Sequence, residues 1–186
     1  VTKSFYPTWD GAQYEALLRR FSLDDSKRVC ELSAGMKVKY QLALALSHRA
    51  RLLILDEPTS GLDPVSRDEL LELFLTLAEE RGVSILFSTH ITSDLEKCAR
   101  TITYLQQGRV LCSEEQSALL NRWRLVRGTP EQLAGAELTG LTGLRRHAGI
   151  VEGLCPAELA ARFPAGTVKP AALEDIMVHL EREARA

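Results

Sequence analysis

The chain lacks several features that mark common classes of protein. Its 186 residues include only four cysteines, and they lie far apart with no C-x-x-C pair: Cys30, Cys98, Cys112 and Cys155. This spacing supports neither a zinc site nor a disulfide framework, so we expect buried free thiols in a reducing cytosol. No apolar run approaches the length of a transmembrane helix. The first residues contain no apolar signal-peptide core, and the first residue is Val1 rather than Met, so we expect a processed chain or one that begins within a longer protein.

The chain also lacks an excess of charge of either sign. It has 23 Lys and Arg against 25 Asp and Glu, and 45% of its residues are hydrophobic. This composition is typical of a soluble globular domain large enough to bury a core. It provides no basic stripe for a nucleic acid or a membrane surface, so we predict no nucleic-acid partner.

One stretch organises the sequence: the apolar run of residues 52–55 leads directly into Asp56 and Glu57. A continuous apolar run is typical of a strand covered on both faces in a parallel sheet. The two carboxylates then lie at the carboxyl end of the strand, where such sheets bind ligands. Asp56 could hold Mg²⁺ and Glu57 could orient or deprotonate a water. The alternative is a purely structural Asp that caps the following turn.

A second largely apolar strand, residues 83–88, ends in Thr89 and His90. If the two strands are parallel, His90 lies at the same sheet edge as Asp56 and Glu57. A lone histidine after a strand is more often structural than catalytic, so His90 alone decides nothing.

Two helix starts carry further candidates. Ser33, Ala34 and Gly35 precede a helical pattern that runs to about Arg49, and free N–H groups at such a start attract anions. A simple Ser N-cap explains the same residues. Residues 60–64 form a turn in which Asp63 caps a helix that ends at Gly82. We expect this helix to bury Val65, Leu70, Leu73, Phe74 and Leu77.

The remaining elements are read from periodicity and turn signals. We predict helices at 14–21 and 92–99, strands at 101–106, 109–112 and 123–127, and a capping box of Ser113 and Gln116. Gly128, Thr129 and Pro130 mark the best domain boundary. Beyond it we expect one or two weak strands within 141–154 and helices near 156–163 and 170–183, with no pattern of a binding site.

In order, Leu32-Ser33-Ala34-Gly35-Met36, Asp56-Glu57, Ser60-Gly61-Leu62-Asp63 and Ser88-Thr89-His90 resemble four motifs of ABC transporter ATPases. These motifs are the signature, Walker B, the D-loop and the H-loop. The resemblance implies an α/β fold like that of P-loop NTPases, with a parallel sheet flanked by helices. It implies that residues 1–127 are a partial nucleotide-binding domain without its N-terminal part, and that residues 128–186 are a small α+β accessory region. The flanking sequence resembles bacterial ABC-2-type exporter subunits.

The resemblance assigns a role to each matching residue. Asp56 would help to hold Mg²⁺ through water, Glu57 would be the general base, and His90 would contact the γ-phosphate of ATP. The signature residues Ser33, Ala34 and Gly35 and the D-loop residues Ser60 and Asp63 would bind ATP across a head-to-tail dimer with a second ABC ATPase subunit. The family also implies integral membrane permease partners and a place at the inner face of the cell membrane.

Two departures from the family pattern are visible. Ala34 and Met36 replace the commoner Gly and Gln of the signature, which we expect to tune the contact. No G-x-x-x-x-G-K-[ST] run and no Q-loop occur anywhere in the chain. We therefore expect negligible ATP hydrolysis by this chain alone, and an apolar sheet surface left exposed by the missing strand.

Two alternatives stay open. One is a non-catalytic ABC-type half-domain that docks or regulates a partner. The other is a non-transport ABC ATPase of the DNA-repair type, which would carry a long heptad arm before the signature. The only helical pattern within residues 1–31 is short.

Overall fold

A computed structural model describes residues 2–185, without the side chains of Thr2 and Arg81. The chain divides into two compact units, Val1–Asp94 and Leu95–Ala186. None of the helices in the described part of the chain has the length and apolar character that crossing a bilayer needs.

Three long helices and two strands build the N-terminal unit: α1 (Gly11–Arg20), α2 (Ala34–Ser47), β1 (Leu52–Asp56), α3 (Pro64–Arg81) and β2 (Ser84–Ser88). Short 3₁₀ turns at Thr2–Phe5 and Val29–Glu31 precede α1 and α2. A further helix, α4 (Thr92–Cys98), begins in this unit.

The helix ends follow local capping. α1 begins three residues earlier than predicted because the Asp10 carboxylate accepts a hydrogen bond from the Gln13 amide at 3.0 Å. α2 ends at Ser47 rather than at Arg49, since Arg49 has a φ of 64° in the left-handed region. α3 has the predicted bounds, with Asp63 as N-cap and Gly82 in the left-handed conformation after it.

The helix α3 buries most of the predicted face. Leu70, Leu73, Phe74 and Leu77 are each at most 7% exposed, whereas Val65 is 67% exposed. The expectation for Val65 was wrong. At about 100° per residue, the five positions between Val65 and Leu70 turn its side chain away from the buried stripe.

Strands β1 and β2 pair in parallel, as predicted, with Leu53 opposite Ile85 and Asp56 opposite Ser88. Leu53 is 4% exposed and belongs to the core. Leu52, Ile54 and Leu86 point to the other face and are 55%, 72% and 61% exposed. The prediction that β1 is covered on both faces was therefore wrong for this chain, and the expected exposed apolar sheet surface is confirmed.

The C-terminal unit contains two antiparallel sheets. The first is the hairpin of β3 (Thr101–Gln106) and β4 (Arg109–Glu115). The second has the strand order β6-β7-β5-β8 and consists of β5 (Trp123–Gly128), β6 (Thr142–His147), β7 (Ile150–Pro156) and β8 (Val168–Pro170). Helices α5 (Gln116–Arg122) and α6 (Leu173–Glu183) complete the unit, together with 3₁₀ turns at Leu138–Gly140 and Ala157–Arg162.

The four-stranded sheet is covered on both faces. One cluster joins it to α5 and α6 through Ile102, Leu119, Leu125, Leu154, Ala171, Leu173 and Ile176. A second cluster joins Val126 of β5 and Val151 and Cys155 of β7, on the opposite face, to Leu133 and Leu141 of the connecting segments. β5 thus belongs to the sheet of the C-terminal unit, and the family-derived boundary between residues 127 and 128 stays a prediction. Cys155 is the one buried cysteine of the four, so the expectation of buried thiols was wrong for Cys30, Cys98 and Cys112.

Two local predictions in this unit were wrong. Strand β4 runs three residues beyond residue 112, so Ser113 lies inside the strand and pairs with the Thr103 hydroxyl at 2.9 Å. Glu115, not Ser113, is the N-cap of α5. The helix expected near 156–163 is the 3₁₀ segment Ala157–Arg162.

Candidate functional site

The carboxyl ends of β1 and β2 bring Asp56 and Glu57 beside Ser88 and His90. The Ser88 hydroxyl donates a short hydrogen bond to Asp56 Oδ1. The Glu57 amide donates to the Ser88 carbonyl at 3.1 Å and lies 3.3 Å from the Ser88 hydroxyl oxygen. The parallel register, with Asp56 opposite Ser88, produces this arrangement.

Glu57 has an unusual backbone conformation. Its φ is 46°, in the left-handed region that is unfavourable for residues other than glycine. This conformation turns the chain directly after the strand and is accompanied by a hydrogen bond from the Ser60 amide to the Glu57 carbonyl at 3.1 Å. Backbone strain of this kind is concentrated at functional sites, where the surroundings hold it in place.

The Glu57 carboxylate contacts His90 twice. Oε1 accepts the His90 backbone amide at 3.1 Å and lies 2.9 Å from Nδ1 of the ring. A carboxylate oxygen only accepts, so Nδ1 carries the hydrogen of this bond. Nε2 is left as the ring atom available to a ligand, on a side chain that is 73% exposed.

The second oxygen of Glu57 is the more informative one. Oε2 is buried and makes no hydrogen bond within the described part of the chain. Buried polar atoms are nearly always paired, and exceptions call for an explanation. An unpaired carboxylate oxygen at a sheet edge can accept a proton from a water or a hydroxyl.

The Asp56 side chain fits a magnesium ion shared with a nucleotide. Magnesium is usually held by one or two carboxylates together with substrate phosphates. Asp56 is exposed, and one of its oxygens is oriented by Ser88.

The Ser33 loop lies at the start of α2. Ser33 is the N-cap, and its hydroxyl accepts the Met36 amide at 3.3 Å. Ala34 and Ser33 are both exposed. A Cβ added at Gly35 would lie 3.4 Å from the Leu62 side chain and 3.7 Å from Ser66, so this helix start lies beside the turn that follows Glu57.

That turn ends at Asp63, whose Oδ1 accepts the amides of Val65 and Ser66, each at 3.1 Å. Hydrogen bonding to Ser66 lowers the pKa of the Asp63 carboxyl below its ordinary value. Ser60 is exposed in the same turn. The Asp63 charge is thus engaged at a helix N-terminus, where it complements the helix dipole.

The predicted site residues therefore form two groups. Asp56, Glu57 and His90 meet at the edge of the sheet, and Ser33–Gly35 lie beside the turn that holds Ser60 and Asp63. Ser88 belongs to the sequence motif that ends at His90 but was assigned no role from the sequence, although its position at the end of an apolar strand is a usable signal. The roles of all these residues in binding and catalysis stay predictions.

Comparison with known proteins shows which proteins the chain is similar to. Residues 28–93 match a family model described as "AAA domain, putative AbiEii toxin, Type IV TA system". The chain is 34% identical over 106 residues to the ABC transporter ATP-binding protein YtrB of Bacillus subtilis, covering 57% of this chain and 36% of YtrB. It is 41% identical over 88 residues to the bacitracin transport ATP-binding protein BcrA of Bacillus licheniformis, covering 47% of this chain and 29% of BcrA.

The chain is similar to ABC transporter ATP-binding proteins, and it has the α/β fold of ABC ATPase cassettes. The solved structure of cbiO1 from Clostridium perfringens, part of the ABC transporter complex cbiONQ, matches with a TM-score of 0.50 and 28% identity over 58% of this chain and 44% of cbiO1. The chain spans about a third of the length of YtrB and of BcrA.

Proposed function

We propose that this chain is the signature- and Walker B-bearing part of an ABC transporter subunit that hydrolyses ATP to power transport, with export the expected direction. The observation that carries the proposal is the set of contacts at the carboxyl ends of β1 and β2. Glu57 presents an unpaired buried oxygen, the same carboxylate fixes His90, and Asp56 is held by Ser88. The similarity to ABC transporter ATP-binding proteins supports an ATPase role.

Each residue has a task in the proposed reaction. Glu57 Oε2 accepts the proton of the attacking water and orients it. The His90 Nδ1–H donates to Glu57. When Nε2 also carries a hydrogen, as in the doubly protonated ring, it can donate to an oxygen of the terminal phosphate. Asp56 would hold Mg²⁺ through water, and the bound ion would neutralise phosphate charge. Phosphoryl transfer depends on such positioning and charge neutralisation rather than on covalent chemistry.

The second group of residues would act across a dimer. Ser33, Ala34 and Gly35 offer a hydroxyl and amides at a helix start, which suits the phosphate of a nucleotide held by an opposing ATPase subunit. Ser60 and Asp63 would face the same partner. We further propose integral membrane permease partners, which would place the complex at the inner face of the cell membrane.

The phosphate-cradling loop must come from outside these 186 residues. The sequence contains no G-x-x-x-x-G-K-[ST] run, and without such a loop and its lysine the chain alone lacks the main grip on the β- and γ-phosphates. We therefore propose that the isolated chain has negligible ATPase activity and acts only together with that loop.

The test is ATP turnover by the protein as its natural source makes it. Glu57→Gln keeps the shape of the side chain and removes its basicity, so we expect a loss of turnover of about 100-fold or more. Glu80→Gln is the matched control, because Glu80 is an exposed carboxylate on α3. Equal activity of the Glu57 and Glu80 variants would contradict the proposed role of Glu57.

A second candidate function is a docking or regulatory module without turnover. The missing phosphate-cradling loop favours it, whereas the assembled Glu57 and His90 pair favours the ATPase. The intact mass of the protein from its natural source distinguishes the two. A mass well above the 20.6 kDa of this chain agrees with an ordinary ATPase subunit. A mass equal to it means that the loop comes from another chain or that no turnover occurs.

A further inference from the structure

A buried polar pair lies beneath the exposed contact between Glu57 and His90. The Thr59 hydroxyl donates to Asp94 Oδ2 at 2.6 Å, and each of these two residues is only 1% exposed. Thr59 lies two residues after Glu57, and Asp94 lies four residues after His90. The pair therefore links the two segments that leave the sheet edge.

Arg67 on α3 completes this network. Its Nε donates to Asp94 Oδ1 at 2.6 Å, and its Nη2 donates to the Ser93 hydroxyl at 2.8 Å and also contacts Asp94. A carboxylate that is 1% exposed is stable only when it is paired and hydrogen-bonded. Thr59 and Arg67 together provide a partner for each Asp94 oxygen.

The turn that contains Thr59 begins at Glu57 and includes Ser60, which are both predicted site residues. The Ser60 amide donates to the Glu57 carbonyl at 3.1 Å, and the Leu62 amide donates to the Thr59 carbonyl at 3.3 Å. On the other segment, the Asp94 amide donates to the Ile91 carbonyl at 3.1 Å. A displacement of Asp94 would therefore also move Ile91, the residue after His90. A displacement of Thr59 would move the adjacent Ser60 and, through the Ser60 amide, Glu57.

The two contacts between these segments differ in their exposure to solvent. The Glu57 and His90 side chains are 35% and 73% exposed, so water competes for their hydrogen bond. The buried link between Thr59 and Asp94 is shielded from that competition and is strengthened by a charge. The buried link is therefore the one that can fix the geometry of the exposed pair.

We propose that Thr59, Arg67 and Asp94 are positioning residues that hold the turn with Ser60 and the segment with His90 in register for the reaction at Glu57. This inference rests on the proposed ATPase function. The three residues act through Glu57 and His90 and need not touch the nucleotide. Small displacements of reacting groups can lower a rate by about 100-fold, so a loosened link is expected to act on kcat.

The test compares two substitutions at Thr59 in the protein as its natural source makes it. Thr59→Val keeps the shape and removes the hydroxyl, and we expect kcat for ATP to fall about 10- to 100-fold with KM changed less than about threefold. Thr59→Ser keeps the hydroxyl and should retain kcat within about threefold.

Ser47→Ala is the matched control. The Ser47 side chain is also fully buried, at 0% exposure, and its hydroxyl donates to the Ala43 carbonyl at 2.6 Å within α2. Its loss should lower stability comparably and leave kcat unchanged. A Thr59→Val enzyme that loses no more kcat than Ser47→Ala overturns the proposal. If Thr59→Val does not fold, Arg67→Lys, which keeps the charge but not the forked donor, is judged by the same criterion.

A second measurement separates this inference from the proposed function. The His90 amide donates to Glu57, so its NMR shift reports on the contact without any turnover. We expect Thr59→Val to move this shift and Ser47→Ala to leave it unchanged. If the unaltered protein hydrolyses no ATP, the proposed function fails, while an amide shift that moves still supports the link. An amide shift that stays fixed in Thr59→Val overturns the link even in an active enzyme.

Discussion

Ile54 in β1 exposes 72% of its surface, whereas Leu154 in β7 exposes none. Both are apolar residues within strands, but they belong to different sheets. The parallel sheet that carries Asp56, Glu57 and His90 is covered on one face only. The antiparallel sheet of the C-terminal unit has a hydrophobic cluster on each face and none of the predicted site residues.

The predicted site residues thus lie in the unit whose sheet has one exposed apolar face, and the sheet with two buried faces lies in the other unit. In the N-terminal unit a left-handed backbone and an unpaired buried oxygen, both unfavourable for folding, coincide at Glu57 in the predicted site. In the C-terminal unit, left-handed Gln107 and Ala148 and the unpaired Trp123 Nε1 lie at separate positions, and both faces of the four-stranded sheet are covered. The four predictions that follow test this contrast.

The largest effect is expected at Gly143 in β6. Its φ is 63°, and a Cβ there would lie 2.1 Å from the His179 carbonyl oxygen. We expect Gly143→Ala to destabilise the C-terminal unit by about 4 kcal/mol, because a left-handed alanine and a backbone clash add together. Urea unfolding followed by Trp123 fluorescence, in a Trp9→Phe background, measures it.

Gly149 is the matched control for this change. Its φ is 75°, but a Cβ there would meet nothing within 4 Å. Gly149→Ala should therefore lower the free energy of unfolding by only about 1 kcal/mol, the cost of placing alanine in a left-handed conformation. Equal losses at the two glycines would contradict the close packing of α6 on β6.

The next largest effect is a difference in stability between substitutions at two neighbouring residues of β1. Leu53 is 4% exposed and Ile54 is 72% exposed. Leu53→Ala should cost about 3 kcal/mol through lost burial and a cavity, whereas Ile54→Ala should cost less than about 1 kcal/mol. Urea unfolding followed by Trp9 fluorescence, in a Trp123→Phe background, measures both. A large loss at Ile54 would mean that the second face of the sheet is covered.

A smaller effect is expected at Ser88, whose hydroxyl orients Asp56. Ser88→Ala should lower ATP turnover by the natural-source protein about tenfold, since one charge-assisted hydrogen bond is lost. Ser84→Ala at the opposite end of β2 is the control and should retain full turnover. Unchanged turnover in the Ser88 variant would remove Ser88 from the site.

The smallest effect concerns the pH dependence of the C-terminal unit. Burial, followed by a hydrogen bond to Glu181, raises the pKa of Tyr104 from 10.0 to about 12. The folded protein then holds a proton that the unfolded chain releases near pH 10. The resulting stability is present below pH 10 and is lost as the pH rises to about 12.

Tyr104→Phe should therefore flatten the fall in stability between pH 10 and about 12. Urea midpoints reported by Trp123 across this range measure the effect. The ultraviolet absorbance of tyrosinate in the folded protein should also lose its latest-titrating component. An identical pH profile in the variant would show that Tyr104 ionises alike in the folded and unfolded states.

Local signals predicted much of the N-terminal unit. Asp63 followed by a proline fixed the start of α3, Gly82 fixed its end, and two apolar runs fixed β1 and β2. Those signals act within a few residues, so a single sequence displays them. The parallel pairing of β1 with β2 was expected from the family resemblance, which implies a parallel sheet.

Other features depend on contacts between distant parts of the chain and could not be predicted from the sequence alone. An exposed apolar sheet surface was expected, but periodicity does not report which side of β1 is uncovered, so the exposure of Ile54 in particular could not be predicted. The pairing of β5 with β7 and β8 joins Arg124 to Cys155 and Pro170, far along the chain. The hydrogen bonds of Ser88 and Thr59 require the register of two strands and the path of the loops that follow them.

We propose that Glu57 is the base and His90 the γ-phosphate contact of an ABC-type ATPase, and that these 186 residues lack the loop that cradles the phosphates. ATP hydrolysis by the purified 186-residue chain tests it most directly. The account predicts turnover indistinguishable from that of the Glu57→Gln chain. Robust turnover by the unaltered chain, abolished by Glu57→Gln, would contradict it.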